Sequence, residues 1–286
     1  MTQWFSSLCQ ALHPRLLLHA LQLIDAQAAQ ERKAVNAQAQ TKQVWTILML
    51  ACVCLLMAHY LKHSSVLVEL IRLAQGWFSI EHNQWLREFR AHPYRQLLGY
   101  VWWGAWNVLC FIALPMLCIK YVFKQNLSQY GWQWGEVHRH WPGYLLLMSP
   151  IMVFAIAVSF RSDFSNHYPF YKMAHISWFD LLVWELIYIT QFVAVEFFFR
   201  GFLVNGLRIP FGSLSIAVMC LPYLMLHFPK LWLESTGAIA FGFLLGILAL
   251  RSKSIWGGVM VHVGIALMMD VAALLQGKGL PDMWLR

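Results

Sequence analysis

Apolar residues occur along this chain in long runs that short polar connections separate. A helix that crosses the hydrocarbon core of a bilayer needs about 20 mainly apolar residues. Seven segments have this length or come close to it. The sequence therefore predicts an all-α, polytopic membrane helical bundle of about seven transmembrane helices. The segments are Val44–Leu61, Leu97–Val122, Tyr144–Phe160, Trp178–Leu207, Ser213–Phe228, Ser235–Leu250 and Ser254–Leu275.

The residues before the first span have an amphipathic pattern. Apolar side chains recur there at helical spacing, which predicts a helix lying on the membrane surface. These side chains are Trp4, Phe5, Leu8, Leu12 and Leu16. A polar stretch rich in Ala and Gln follows, as an exposed helix or a linker. We therefore divide the chain into an N-terminal amphipathic and juxtamembrane segment, residues 1–43, and a membrane-embedded domain, residues 44–286.

Composition and charge agree with a lipid environment. Hydrophobic residues make up 59% of the 286-residue chain and charged residues 12%, about half the charged fraction of a soluble domain. The net charge of +8 comes from basic residues in short connections rather than from a dense patch. Such residues meet anionic headgroups, so we expect membrane lipids and no nucleic acid as partners. Their distribution favours a cytoplasmic N-terminus, and we expect a bacterial cytoplasmic membrane.

Four ionisable side chains interrupt three of the last four apolar segments. Glu196 and Arg200 lie in the fourth, His227 near the end of the fifth and His262 in the last. Each such group costs about 2.5–3.5 kcal/mol at membrane depth, so a structure keeps them with partners or a function. Glu196 and Arg200 are four residues apart and can pair on one helical face. A pair that only lowers the insertion cost is the alternative.

Two kinds of chemistry fit one carboxylate and two imidazoles. Glu196, His227 and His262 could hold a divalent metal such as zinc. Alternatively, Glu196 could activate water while the two histidines polarise a carbonyl. Both routes lead to hydrolysis of a peptide bond inside the membrane. His227 reaches the depth of Glu196 only if the fifth segment is re-entrant or tilted, for example by a bend at Pro222.

Two other acidic residues have less certain assignments. Asp270 follows His262 by eight residues, which separates them by about 12 Å along the helix and about 80° around it. Asp270 therefore cannot share one metal ion with His262 in a regular helix, and we expect it to orient another group, to face a polar cavity or to be structural. Glu185 lies eleven residues before Glu196, nearer the opposite interface, and a structural role is expected there.

At these residues the sequence resembles the CPBP family of intramembrane proteases, which includes CaaX-processing endopeptidases and bacteriocin-processing or immunity proteins. Glu196 and Arg200 match the second Glu and the Arg of its EExxxR motif, Tyr223 to His227 its aromatic-xxx-His motif, and His262 the start of its HxxxN motif. The likeness covers residues 178–275. It implies a peptidase in which Glu196, Arg200, His227 and His262 are catalytic.

Two positions depart from the family pattern. Val195 occupies the place of the first Glu, which the family uses to activate water, and Ala266 replaces the Asn four residues after the last histidine. Neighbouring helix positions differ by about 100°, so Glu196 does not simply replace a Glu at 195. Either Glu196 has taken over as the base or catalysis is lost.

Three functions follow, in order of preference. The first is an intramembrane endopeptidase that cleaves a membrane-anchored or lipidated peptide or protein. The second, which Val195 and Ala266 favour, is a non-catalytic membrane protein with the same bundle, such as an immunity or assembly factor. The third is a proton-coupled transporter, against which stands the lack of repeated halves or paired broken helices in the sequence.

Overall fold

A computed structural model describes residues 14–78, 83–230 and 232–286 of the chain. The helices in these ranges, numbered in chain order, are α1 (Pro14–Arg32), α2 (Ala37–Tyr60), α3 (Ser64–Trp77), α4 (Gln84–Ala91), α5 (Arg95–Phe123), α6 (Val137–Ser159), α7 (Ser162–His167), α8 (Trp178–Phe211), α9 (Leu214–Met225), α10 (Trp232–Ser252) and α11 (Trp256–Gln276). A 3-10 turn, Leu127–Tyr130, lies between α5 and α6. The predicted all-α membrane bundle is confirmed.

The number of full spans is six rather than seven in the described part of the chain. Helices α2, α5, α6, α8, α10 and α11 are long and apolar enough to cross a membrane. The predicted fifth span contains only the 12-residue helix α9, which ends at Met225. Its length of about 18 Å is well short of a hydrocarbon core of about 30 Å. His227 therefore lies in a turn just after a short helix.

The N-terminal polar stretch is mostly helical. Trp4, Phe5, Leu8 and Leu12 lie outside the described residues, whereas Leu16 lies on α1 and is 52% exposed. The buried face of α1 consists of Ala20, Ile24 and Ala28. A short break at residues 33–36 separates α1 from α2, which begins seven residues before the predicted span.

Polar contacts hold α1 against the end of α8 and the connection that follows it. The Asp25 carboxylate accepts hydrogen bonds from the backbone N–H of Ser213 at 2.7 Å and from its hydroxyl at 3.0 Å. Both Nη atoms of Arg208 donate to the Glu31 carboxylate, at 2.8 and 2.7 Å. A bidentate guanidinium–carboxylate pair fixes orientation as well as distance. Helix α1 is therefore docked on the protein and does not only lie on the membrane.

The chain divides into two compact units, each formed by three separate stretches of sequence. The first contains Met1–Val53, Leu114–Pro150 and Val195–His262, and the second contains Cys54–Ala113, Ile151–Ala194 and Val263–Arg286. The four ionisable residues singled out above, from Glu196 to His262, all belong to the first unit. Asp270 and Glu185 belong to the second.

A widened stretch of α8 forms the centre of the first unit. Residues Phe197–Asn205 adopt a π-helix, and the eight from Phe197 to Val204 are buried. This stretch packs against α9, α10 and the 3-10 turn. The Asn205 side-chain amide donates to the Arg200 carbonyl at 2.7 Å, which supplies a side-chain partner within the irregular turn. Short π segments inside α-helices occur frequently at functional sites.

A proline shortly after the π segment is compensated by a glutamine. Pro210 has no N–H, so it cannot donate to the carbonyl of Gly206 four residues earlier. The side-chain amide of Gln43 donates to that carbonyl instead, at 3.2 Å. Gln43 comes from the beginning of α2, and the contact therefore joins α2 to α8 within the first unit.

The second unit has an aromatic core with buried acidic residues. Trp184, Tyr171 and Tyr188 are buried in one cluster. The indole N–H of Trp184 donates to Asp270 Oδ2 at 2.7 Å. Asp180 is also fully buried, and it accepts hydrogen bonds from the hydroxyls of Ser177 and Tyr171. Asp270 and Asp180 thus each have an O–H or N–H donor, as buried polar groups require.

The Glu31–Arg208 pair predicts how α1 responds to acid. Hydrogen bonds from Arg208 lower the pKa of Glu31, although partial burial opposes this effect. Because the folded-state pKa is depressed, the stabilisation is present above the unfolded pKa and is lost as pH falls through the folded pKa. Glu31→Gln should lower the free energy of opening of α1 at pH 7 by about 0.2–1 kcal/mol. This effect should be lost as the pH falls through the folded-state pKa of Glu31.

Hydrogen–deuterium exchange of residues 14–32, corrected for intrinsic rates, measures this opening. Glu69→Gln is the matched control, because Glu69 also pairs with an arginine, Arg72, but on the exposed face of α3. If Glu31→Gln increased exchange of residues 14–32 equally at pH 7 and in acid, the proposed role of the pair would be contradicted.

Candidate functional site

Glu196, Arg200 and His262 form one buried ionic cluster. The Glu196 Oε1 atom is 2.9 Å from Arg200 Nη1 and 2.8 Å from His262 Nδ1. The exposed fractions are 1% for the Glu196 side chain, 0% for Arg200 and 15% for His262. The pairing of Glu196 with Arg200 that the i,i+4 spacing predicts is therefore present, and His262 from α11 joins it.

The contact favours the tautomer of His262 that carries the proton on Nδ1. A carboxylate oxygen can only accept, so an unprotonated Nδ1 at 2.8 Å would place two lone pairs against each other. A proton on Nδ1 avoids this repulsion, and that tautomer leaves Nε2 as the acceptor of the neutral ring. The Tyr223 hydroxyl is 3.3 Å from that Nε2 and can donate to it.

Tyr223 connects the members of the site. Its ring lies 4.3 Å from the Arg200 guanidinium carbon, a cation–π distance, and its centroid is 4.8 Å from that of the His227 ring. Sequence reasoning included Tyr223 only as the aromatic residue of a motif. Its spacing of four residues before His227 was the signal that both side chains share one face of α9 and its extension.

His227 has a defined hydrogen bond of its own. Its Nδ1 lies 2.9 Å from the backbone carbonyl of Tyr223. Because a carbonyl only accepts, this Nδ1 carries hydrogen, and Nε2 is the acceptor of the neutral ring. Both histidines therefore present Nε2 as an acceptor, to a proton or to a metal, when they are uncharged.

The described residues do not assemble a metal site. No group of three or more His, Cys, Asp or Glu side chains in these ranges is placed to hold a metal ion. Glu196 Oε1 and His262 Nδ1 face each other at 2.8 Å, which leaves no room for an ion between them, since zinc needs about 2.0–2.2 Å to each ligand. The donor set as placed does not fit zinc, and we derive no step through a metal.

Gly258 allows Glu196 to reach His262. It lies four residues before His262, on the same face of α11. A Cβ atom at position 258 would be 2.1 Å from Glu196 Oε2 and 2.7 Å from its carboxyl carbon. The neighbouring Gly257 is packed in the same way against the Tyr144 ring. The Gly257–Gly258 pair thus brings the first turn of α11 into contact with α6 and α8, a requirement that we did not derive from the sequence.

The other predicted residues have different surroundings. Asp270 accepts the Trp184 indole hydrogen bond within the second unit, and its Oδ1 is buried with no hydrogen-bond partner among the described residues. Trp184 is thus the group that Asp270 orients in that unit. Val195, at the position of the missing glutamate, is 9% exposed and brings no ionisable group to the site.

These features define a class of protein: a polytopic helical membrane protein with a buried Glu–Arg–His cluster contributed by two of its spans. A comparison with family models finds a similarity in this region. Residues 177–268 match the family described as Rce1-like, type II CAAX prenyl endopeptidase Rce1-like.

The match covers about a third of the chain and lies within the CPBP family, so the resemblance seen at residues 178–275 is confirmed. Neither a curated protein nor a solved structure matches the chain significantly. At the level of the family, this similarity supports an intramembrane peptidase.

The close approach of Gly258 gives a stability prediction. Gly258→Ala should lower the free energy of unfolding by about 1–3 kcal/mol, because the added methyl group forces the Glu196 carboxylate from its position against α11. Gly237→Ala is the matched control, since nothing lies within 4 Å of a Cβ at that helical glycine. Thermal or denaturant unfolding in detergent provides the measurement. Equal stability of the two variants would contradict this account of Gly258.

Proposed function

We propose that this protein is an intramembrane endopeptidase that hydrolyses a peptide bond in a membrane-anchored or lipidated polypeptide. The observation that carries the proposal is the contact between His262 Nδ1 and Glu196 Oε1 at 2.8 Å. It lies in the region that matches the Rce1-like family. A carboxylate that holds one nitrogen of an imidazole, and so leaves the other as a base, is a recurrent arrangement in hydrolases.

In this mechanism Glu196 acts through His262. Both carboxylate oxygens of Glu196 are buried, whereas the His262 ring is 15% exposed. Water can therefore approach the imidazole more readily than the carboxylate. Nε2 of His262 takes a proton from water, and the hydroxide attacks the scissile carbonyl. Glu196 stabilises the imidazolium, which then protonates the leaving amine.

Arg200 is a positioning residue in this scheme. Its guanidinium lies 2.9 Å from Glu196 Oε1 and is fully buried. The positive charge compensates the Glu196 carboxylate, which would otherwise be an unpaired charge at membrane depth. Because the guanidinium is rigid and permanently charged, it keeps the carboxylate ionised while the proton moves on and off His262.

Tyr223 is the candidate donor to the developing oxyanion. While His262 is neutral, the Tyr223 hydroxyl can donate to Nε2. Once Nε2 has taken the proton from water it no longer accepts, and the hydroxyl becomes available to the carbonyl oxygen. The sequence assigned oxyanion stabilisation to His227 and His262. The hydrogen bond of His227 to the Tyr223 carbonyl supports instead a role as a second acceptor near the substrate.

The proposals for substrate and location rest on the family description and on the membrane-spanning helices. The family description names prenylated CAAX sequences, and we propose a prenylated or otherwise membrane-anchored peptide that enters between helices. We also propose that the protein resides in a bacterial cytoplasmic membrane with its N-terminus in the cytoplasm. The basic residues of the short connections support this orientation.

Conservative variants test the base and its orienting partner. Glu196→Gln and His262→Gln should each reduce cleavage at least about 100-fold, because general base catalysis contributes about 10²–10⁴-fold. The substrate is a farnesylated peptide with a C-terminal Cys-aliphatic-aliphatic-X sequence, in proteoliposomes, with products identified by mass spectrometry. Glu185→Gln, a change at another buried carboxylate on α8, is the matched control and should keep full activity.

Full activity of Glu196→Gln or of His262→Gln in the folded protein would contradict the proposed pair. Comparable unfolding midpoints of wild type and variants establish that the loss is chemical. An equal loss in Glu185→Gln would indicate that any buried carboxylate of α8 is needed for folding.

Chelation separates the metal-free mechanism from the metal centre that the sequence also suggested. We propose that Glu196, His227 and His262 work without zinc, because no described trio of ligands converges. Cleavage should therefore keep its rate after prolonged dialysis against a strong chelator. Loss of activity on chelation, with recovery when zinc is added in small excess over the chelator, would restore the metal assignment.

A non-catalytic role is the second candidate. The observation that favours it is the complete burial of the Glu196 carboxylate beside an apolar Val195, which stands where the family pattern has its first glutamate. In that case the Glu–Arg–His cluster would only join α8 and α11. The wild-type protein would then cleave neither the farnesylated peptide nor a panel of transmembrane peptides, and Glu196→Gln would change stability alone.

A further inference from the structure

A groove in the first unit has an apolar floor and a basic rim. It lies between α1, α6 and α10 and has a volume of about 340 Å³. Its floor is formed by leucines and an isoleucine, among them Leu147 and Leu244, and its rim by Arg139 and Arg251. His19 and His140 also line it, and none of the lining residues is acidic.

The rim lies at the membrane surface. Arg139 is in the first turn of α6, and Arg251 is in the last turn of α10. Two contacts hold these helix ends together: the Glu136 N–H donates to the Ser252 carbonyl at 2.7 Å, and the Tyr144 hydroxyl is 2.9 Å from Ser252 Oγ. Both arginines therefore lie at one end of two membrane-spanning helices.

The apolar floor extends along α6 and α10 away from the charged rim. Leu146 follows Arg139 by seven residues on α6, and Leu244 precedes Arg251 by seven residues on α10. Seven residues of helix correspond to about 10 Å. On α10 the apolar lining begins at Leu248, three residues from Arg251, and continues to Leu244, so it extends to about 10 Å from the charged rim on both helices. That length accommodates the first part of an acyl chain below a phosphate held by the arginines.

The charge of the rim favours an anion. Arg139 has one acidic neighbour, Glu136, at 3.3 Å on the exposed surface of α6. The acidic residues of α1 are engaged elsewhere, Asp25 with Ser213 and Glu31 with Arg208. The two arginines therefore keep a net positive charge at the mouth. Basic pockets between transmembrane helices bind anionic lipid headgroups.

We propose that this groove binds one anionic phospholipid, with its phosphate between Arg139 and Arg251 and the beginning of an acyl chain along the floor. The lipid would join α1 to the ends of α6 and α10. This site does not depend on the proposed peptidase chemistry, since none of its residues belongs to the Glu196 cluster.

Native mass spectrometry of the full chain in detergent tests the site. The protein is titrated with phosphatidylglycerol or with phosphatidylcholine of the same acyl chains. Wild type should bind phosphatidylglycerol more tightly. The double variant Arg139→Gln/Arg251→Gln should lose about 25-fold in affinity, about fivefold for each arginine beside an anionic headgroup. Arg139→Lys/Arg251→Lys should keep most of the preference.

Arg90→Gln is the matched control, because Arg90 is an exposed arginine on α4 that does not line the groove. It should bind both lipids as wild type does. A salt titration of the wild type tests the site without relying on the folding of a variant. Raising the salt to about 1 M, where the Debye length is about 3 Å, should reduce the preference for phosphatidylglycerol.

Four results would overturn the proposal. One is equal binding of the two lipids by wild type, and another is an unchanged preference in the double glutamine variant. The third is displacement of phosphatidylglycerol by inorganic phosphate at equal concentration, which would indicate that the acyl chain contributes nothing. A lipid-free dimer as the main species would assign the groove to a second copy of the chain and would also overturn it.

Discussion

The first unit depends on keeping the Glu196 charge at membrane depth. A lone carboxylate there would be strongly unfavourable, and removing one partner of a buried pair costs about 3–5 kcal/mol. Arg200 compensates the charge from the next turn of the same helix, and His262 approaches from α11. The π segment that begins at Phe197 and the Gly257–Gly258 pair are the local features that make these contacts possible.

The same constraint gives the cluster its chemical character. An ion pair that only neutralised charge would need neither an imidazole nor a side chain that is partly exposed. Here the carboxylate is fully enclosed, but the third partner is an imidazole with part of its ring exposed and with its second nitrogen beside a tyrosine hydroxyl. Burial orders Glu196 and Arg200, and exposure makes His262 the group that can exchange a proton. The site can therefore be rigid and reactive at once.

The polar contacts outside the cluster follow a similar rule. Asp25, Glu31 and Gln43 each satisfy a group that the geometry of α8 or its C-terminal connection leaves open, whether a backbone N–H, a guanidinium or a carbonyl freed by Pro210. The basic rim between α6 and α10 is different, because its arginines exceed the acids around them. This surplus of positive charge is the basis of the phospholipid site that we propose.

The sequence by itself determined the class of the protein and the residues of the cluster. Long apolar runs can only be buried in lipid as helices, because the backbone must satisfy its own hydrogen bonds there. An i,i+4 spacing is enough to predict the Glu196–Arg200 pair. Tertiary structure decided the rest: that His262 joins this pair, that α9 is too short to span, and that His227 bonds to its own helix. The first depends on how helices far apart in the chain approach one another, and periodicity within a single helix carries no information about that approach. The other two depend on where α9 ends, which a continuous apolar run does not show.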